Sequence, residues 1–319
     1  MSLLLALLAG TAITVPHLLA LDRAHPATAA VIWLAAVCVR ALVALFVAVF
    51  FVFYVPTTAL FALVTHWCWH TALPLVTSHL GLDGHSIGDV ALLAPVLALA
   101  VSLVSVSVGL WRATRAVSAW VRRTSVGAGP QESVIVGEHD IVVAAAGLRR
   151  PRVIVSAGAL MCFDDEELAA SLAHERGHIA RRHRFALVTA EVCRSLARLL
   201  PGTRRAVGEL IFHLERDADR WALERKHDPI ALASAICKAA RPPQGASGAL
   251  LALSGGAVTR RVRQLLEGGA VSGRRGGLDV LAVSMVVLVI GLGAALPSAT
   301  LAGIDVAGQS DGAIRHCQS

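Results

Sequence analysis

The chain reads as a mainly α membrane protein, with about four transmembrane helices and a cytoplasmic α+β domain inserted between the third and the fourth. Three observations predict this. Hydrophobic residues make up 55% of the 319 and charged residues only 16%. Four apolar segments are long enough to cross a bilayer, which takes roughly 20 helical residues. Nearly all the basic residues fall in one polar stretch between the last two of those segments.

The first apolar segment runs from Leu3 to Leu21. A cleaved signal peptide is the competing reading, but no charged residue precedes Asp22, so a retained span is expected. The second lies within Ala27–Thr65 and is too long for one straight crossing. It is read as a span near Ala41–Leu63, with Ala27–Val39 packed at the inner interface and Arg40 snorkelling, although two spans fit as well. Val90–Trp111 and Leu278–Pro297 are the third and fourth.

Of the 29 Lys and Arg, all but Arg23, Arg40 and Arg315 lie between Arg112 and Arg275, whereas His66–Asp89 has none. The positive-inside rule therefore puts the long loop in the cytoplasm and His66–Asp89 outside. On this plan residues 1–111 are a membrane region with three spans, 112–277 a cytoplasmic domain, 278–297 the fourth span and 298–319 a short extracytoplasmic tail. The net charge of +7 is thus a matter of topology. Direct nucleic-acid binding is not expected, because no aromatic platform or recognition helix accompanies the basic residues. The six cysteines show no CxxC spacing and read as singly buried thiols, although Cys68 and Cys317 would share the outside compartment. Trp67 and Trp69 read as interfacial anchors, and His66, His70, His79 and His85 as scattered exposed histidines.

Within the loop, Ser125–Pro130 reads as a linker. The β-branched runs Ser133–Val136, Asp140–Ala146 and Arg152–Ser156 read as a small antiparallel sheet. Asp164 with Glu167 three residues on is a capping-box pattern that opens a helix, whose apolar positions Leu168, Leu172 and Ala173 lead into His174. Two further helices are expected, over Phe185–Leu200 and about Arg204–Lys226. The run from Arg260 to Leu266 is read as a basic helix near the anionic inner leaflet.

The expected chemistry starts with His174-Glu175-Arg-Gly-His178, an HExxH pentapeptide in mid-helix. Histidines four residues apart share a helix face and can place two imidazole nitrogens on one metal ion. Glu175, beside the first of them, can take a proton from water at that metal. A catalytic zinc needs a third protein ligand and an open position. His183 is one candidate, but the long metzincin pattern would need glycine at 181 and histidine at 184, where the chain has Arg181 and Arg184. Glu215 on a later helix is the better one. Asp219, one turn further, is placed to hydrogen-bond the free ring nitrogen of a ligand histidine. His213, Arg216 and Arg220 are unranked candidates for stabilising an oxyanion.

HExxH followed by Glu215-xxx-Asp219, with the lead-in Pro151–Gly158, resembles the gluzincin membrane peptidases. These comprise HtpX-like proteases, CAAX prenyl proteases and BlaR/MecR-type antirepressor peptidases. The short interval from His178 to Glu215 and the plan of three spans before the loop and one after it resemble the BlaR/MecR type most. The resemblance implies a gluzincin zinc-peptidase domain with one Zn²⁺ per chain, bound by His174, His178 and Glu215, with Glu175 catalytic and Asp219 behind the ligands. It implies a bacterial plasma-membrane enzyme that cleaves a cytoplasmic protein, such as a BlaI-like repressor, in transmembrane signalling. It also implies self-cleavage near Ser272–Gly277. The chain departs from the type in ending about twenty residues after the fourth span, with no large penicillin-binding sensor there, and in having His183 where an acidic residue is common. An HtpX-like quality-control protease and a non-catalytic transducer are the alternatives. The expected partners are the lipid bilayer and the protein substrate, and a homodimer is compatible with the chain.

Overall fold

The computed structural model describes residues 2–54, 84–147, 150–240, 248–267 and 275–316. Helices α1 (Ser2–Leu18), α2 (Pro26–Phe53) and α3 (Gly84–Thr124) come first. Four short strands follow: β1 (Ser125–Ala128), β2 (Val134–Val136), β3 (Val143–Ala146) and β4 (Arg152–Ser156). Then come α4 (Ala157–Cys162), α5 (Asp165–Ala180), α6 (His183–Leu196) and α7 (Thr203–Leu223). The chain ends in α8 (Pro229–Ala239), α9 (Gly248–Leu266) and α10 (Arg275–His316).

Among the described residues, three helical stretches are long and apolar enough to cross a membrane: Pro26–Phe53, Val96–Thr124 and Gly277–Asp305. α1, the expected first span, is shorter, with 17 residues and Pro16 inside it. The expected fourth span lies within α10, which continues through Pro297 as helix to His316. The expectations for His66, Trp67, Cys68, Trp69, His70, His79, Cys317 and the cleavage segment at 272–274 fall outside the described residues.

The second apolar segment departs most from expectation. α2 is one helix that starts at Pro26, whose missing N–H and fixed φ suit the first turn. Its first half is buried in protein: Ala29, Ile32, Trp33, Ala36, Val37 and Val39 share a core with Ala190 of α6, with Ala206, Leu210 and Leu214 of α7, and with Met285 and Leu292 of α10. Small side chains on α2 let these helices approach closely. In its second half Val47, Phe50 and Phe51 are exposed. One apolar run thus serves a protein core and then an unburied apolar surface. Hydropathy cannot separate the two, since both remove the side chain from water. Arg40 does not snorkel. It is 1% exposed and donates from Nη1 to the Ala36 carbonyl (3.1 Å) and from Nη2 to the Ile13 carbonyl (3.2 Å), with Nη2 also 2.9 Å from His17 Nε2. Carbonyls toward the C-terminal end of α1 favour a cation there.

α2 and α10 run parallel. Thr28 Oγ1 donates to Asp279 Oδ1 (2.7 Å) at their first turns. Near the other end Gly303 packs so tightly on Phe53 that an added Cβ would lie 2.7 Å from the Phe53 Cβ.

The sheet has the order β1-β2-β4-β3 and is mixed, not antiparallel. β2 pairs with β4 in parallel (Val134↔Ile154, Val136↔Ser156), while β1/β2 and β3/β4 are antiparallel. The expected linker supplies β1, whose edge position needs only one partner and little apolar character. β3 is the other edge, and its free side faces α5. Val153 and Val155 of β4 pack on Leu172 of α5, while Ala170 and Ala173 pack on Ala222 of α7 and Leu232 of α8. The HExxH helix is thereby clamped between sheet and bundle.

Candidate metal centre

α5 begins where the sequence indicates. Asp164 Oδ1 accepts from the Glu167 amide (2.8 Å) and Glu167 Oε2 from the Asp164 amide (3.0 Å), which completes the capping box. One face of the helix then presents His174 and His178. Between them Gly177 sets how near α7 can come: a Cβ there would sit 3.0 Å from Trp221 Cβ and 3.2 Å from Ala218 Cα. The missing side chain at 177, opposite Ala218, brings the two helices close enough for Glu215 and Asp219 to reach the histidines.

The five residues expected from the sequence come together. His174 Nε2 lies 3.2 Å from His178 Nε2 and 3.5 Å from Glu215 Oε2, and His178 Nε2 lies 3.4 Å from Glu215 Oε1. A zinc ion with Zn–N and Zn–O bonds of about 2.0–2.2 Å in a tetrahedron separates its ligands by about 3.4 Å. Two nitrogens and a carboxylate, one oxygen toward each histidine, at these spacings therefore fit one zinc and leave a fourth position.

The outer contacts complete the fit. Asp219 Oδ1 is 2.9 Å from His174 Nδ1, an ion-pair contact lying off the in-line hydrogen-bond direction. His183 Nδ1 is 2.9 Å from His178 Nδ1. His183 is thus not a third ligand; it stands behind the second histidine. With both outer nitrogens so engaged, the two inner nitrogens face each other as lone pairs, which is repulsive unless a cation lies between them.

In the metal-free protein a proton takes that role. Burial disfavours charge on His174, but Asp219 and Glu215 outweigh it and hold the ring up at about 9. Burial, and then charged His174 beside it, pushes His178 down to about 4. Burial would raise Glu215, yet its bond to His174 and the charge of Arg261 bring it to about 2. Burial raises the Glu175 carboxyl above its ordinary value.

Glu175 Oε2 accepts from the Ala145 amide of β3 at 2.7 Å. The Ser156 amide donates to the Val142 carbonyl and the Ala145 amide turns away to Glu175, so by the two-residue alternation of an antiparallel pair Val143 and Ala145 turn their main-chain groups to the free edge. A cavity of about 260 Å³ opens there, lined by Val143, His174, Glu175, Glu215, Phe163 and Arg261 among others.

Arg261 of α9 is the residue the sequence reading missed. It donates from Nη2 to Asp219 Oδ1 (2.7 Å) and from Nε to Asp219 Oδ2 (2.9 Å), and its Nη1 is 2.7 Å from Glu215 Oε2. Read as part of a membrane-facing basic helix, it instead points inward, while its neighbour Arg260, partly exposed, pairs with Asp22 (2.7 Å) and Glu209 (3.2 Å). The available signal was electrostatic: Glu175, Glu215 and Asp219 clustered out of water call for a cation besides one metal ion. The three oxyanion candidates do not line the cavity. His213 Nδ1 is 3.1 Å from Arg216 Nη1 in a buried contact, and Arg220 Nε donates to Glu224 at 2.8 Å.

Comparison with known proteins gives a family likeness over the part of the chain that holds the HExxH helix. Residues 112–210 match the model of Peptidase family M48. The matched stretch contains His174, Glu175 and His178 and ends just before Glu215. A protease HtpX homolog from Desulfotalea psychrophila (strain LSv54 / DSM 12343) is 32% identical over 128 residues, which is 34% of this chain and 45% of that protein. The chain thus matches less than half the length of this relative. No solved structure matches. An M48-type peptidase domain carried with helices apolar enough for a membrane is what these likenesses support; neither singles out the BlaR/MecR type.

Proposed function

We propose that the chain is a membrane-embedded zinc-dependent endopeptidase in which His174, His178 and Glu215 hold one Zn²⁺ and Glu175 is the general base. The observation that carries this reading is the convergence of two imidazole nitrogens and the two oxygens of one carboxylate at 3.2–3.5 Å beside a buried glutamate in a cavity. Zinc, when bound, polarises the scissile carbonyl and makes water acidic enough to lose a proton near neutral pH. Glu175 takes that proton and returns it to the leaving amine. The Ala145 amide holds the carboxylate in place meanwhile. An extended substrate adds to the free edge of β3, where Val143 offers main-chain groups beside the cavity without selecting much sequence. Asp219 orients His174, and Arg261 fixes both Asp219 and Glu215.

The basic loop is assigned to the cytoplasm by the positive-inside rule, and the parallel course of α2 and α10 is what a plan with both running outward requires. In the favoured reading the substrate is a cytoplasmic protein of the BlaI-like repressor kind, cleaved in transmembrane signalling. Likeness to an HtpX homolog supports a second reading, turnover of damaged membrane proteins. Comparing the proteomes of cells with the wild-type protein and with Glu175→Gln tests both. One discrete fragment pair of a DNA-binding protein supports signalling, many membrane-protein fragments support turnover, and identical proteomes contradict the peptidase reading.

A further inference from the structure

Behind the candidate zinc ligands lies a second buried chain of side chains. α5 ends at Ala180, and Arg182, in the left-handed region at φ 56°, reverses the backbone so that His183 opens α6 directly beneath His178. His183 Nδ1 is 2.9 Å from His178 Nδ1, and His183 Nε2 is 3.1 Å from Asp217 Oδ2. His183 is 4% exposed and Asp217 2%. Only one proton arrangement satisfies both contacts once His178 turns Nε2 to the metal position. His178 then carries its proton on Nδ1 and donates to His183 Nδ1, so His183 carries its own on Nε2 and donates to Asp217. The other Asp217 oxygen is buried without a hydrogen-bond partner, and Arg181 Nε approaches Oδ2 only to 3.8 Å. Most of that carboxylate's charge is thus directed at His183. The two ligand histidines are backed differently: His174 by a carboxylate that Arg261 neutralises, His178 by a carboxylate acting through a second imidazole.

We propose that His183 and Asp217 are positioning residues that fix the tautomer and orientation of His178 and strengthen it as a zinc ligand, a role that rests on the metal-site reading above. Each hydrogen bond in the chain polarises the next, so the Asp217 charge makes His178 Nε2 a better donor to the metal without touching it. An Asn or Asp at 183 places an oxygen about where Nδ1 now lies, but only Asp restores a negative charge there.

The test is the zinc dissociation constant of the full-length, detergent-solubilised protein, measured against a chromophoric chelator. The Co²⁺ absorption spectrum and thermal unfolding of the metal-free form are recorded alongside. Asp217→Asn and His183→Asn are each expected to weaken zinc about tenfold and to shift the Co²⁺ bands, with the double variant no weaker than either alone. His183→Asp is expected to recover most of the affinity. Wild-type protein that binds zinc tightly, with folded variants that bind it equally well, would overturn the relay and leave the metal site standing. So would variants that lose only metal-free thermal stability. Wild-type protein that binds no zinc would overturn the metal site and the relay together.

Discussion

Asp219→Asn is the sharpest probe of how the site is held. The carboxylate makes three close contacts: 2.9 Å to His174 Nδ1, and 2.7 and 2.9 Å to Arg261. The amide keeps one acceptor oxygen. If that oxygen serves His174 and Arg261 Nη2, the new NH2 meets Arg261 Nε, donor against donor. One charge-assisted bond is lost, at about 1.5–3 kcal/mol. One of the two carboxylates that compensate buried Arg261 goes with it while Glu215 stays, which holds the expected loss of metal-free stability to roughly 3 kcal/mol, the low end for a broken buried pair. His174 also loses the partner that orients it, so zinc affinity should fall about 10–100-fold. Chelator competition gives the affinity and thermal unfolding followed by circular dichroism gives the stability. An Asn variant that binds zinc and unfolds as the wild type does would refute the role given to Asp219.

Further outcomes follow from the same geometry. Glu175→Gln should bind zinc within a few-fold of wild type yet lose about 10²–10⁴ in hydrolysis, read from single-turnover cleavage once a substrate is known. In the metal-free protein the raised pKa of His174 contributes stability that is fully present below pH 6.5 and is lost as pH rises through about 9. The melting temperature of the metal-free form should therefore fall across that window while that of the zinc-loaded form does not, and parallel curves would contradict it. Cys38 and Cys193 lie with sulfurs 3.7 Å apart, joining α2 to α6. Mild oxidation should link this pair in a peptide map, and its absence would contradict the burial of the first half of α2.

The legible features were those with short periods. The capping box at Asp164 and Glu167, the i, i+4 histidines and the one-turn spacing of Glu215 and Asp219 are local, so helix geometry alone places them. Arg261 was not legible, because an arginine in a basic run reads the same whether it faces lipid headgroups or buried carboxylates; only the fold turns α9 inward. Its place shortly after His178 makes His183 a candidate metal ligand, and a single left-handed residue, Arg182, instead makes it the start of the next helix, behind His178. The parallel pairing of β2 with β4 depends on a crossover that strand composition does not encode. In α2 a continuous hydrophobic run concealed a change from protein core to exposed apolar surface near Arg40.

The central claim is that one zinc is held by residues 37 positions apart in sequence, from the HExxH helix to Glu215. Zinc content per chain, measured on the purified full-length protein after exhaustive dialysis, tests it most directly. One zinc per chain in the wild type and almost none in either His178→Ala or Glu215→Ala is the predicted result. Full zinc retention in Glu215→Ala, or no zinc in the wild type, would contradict it.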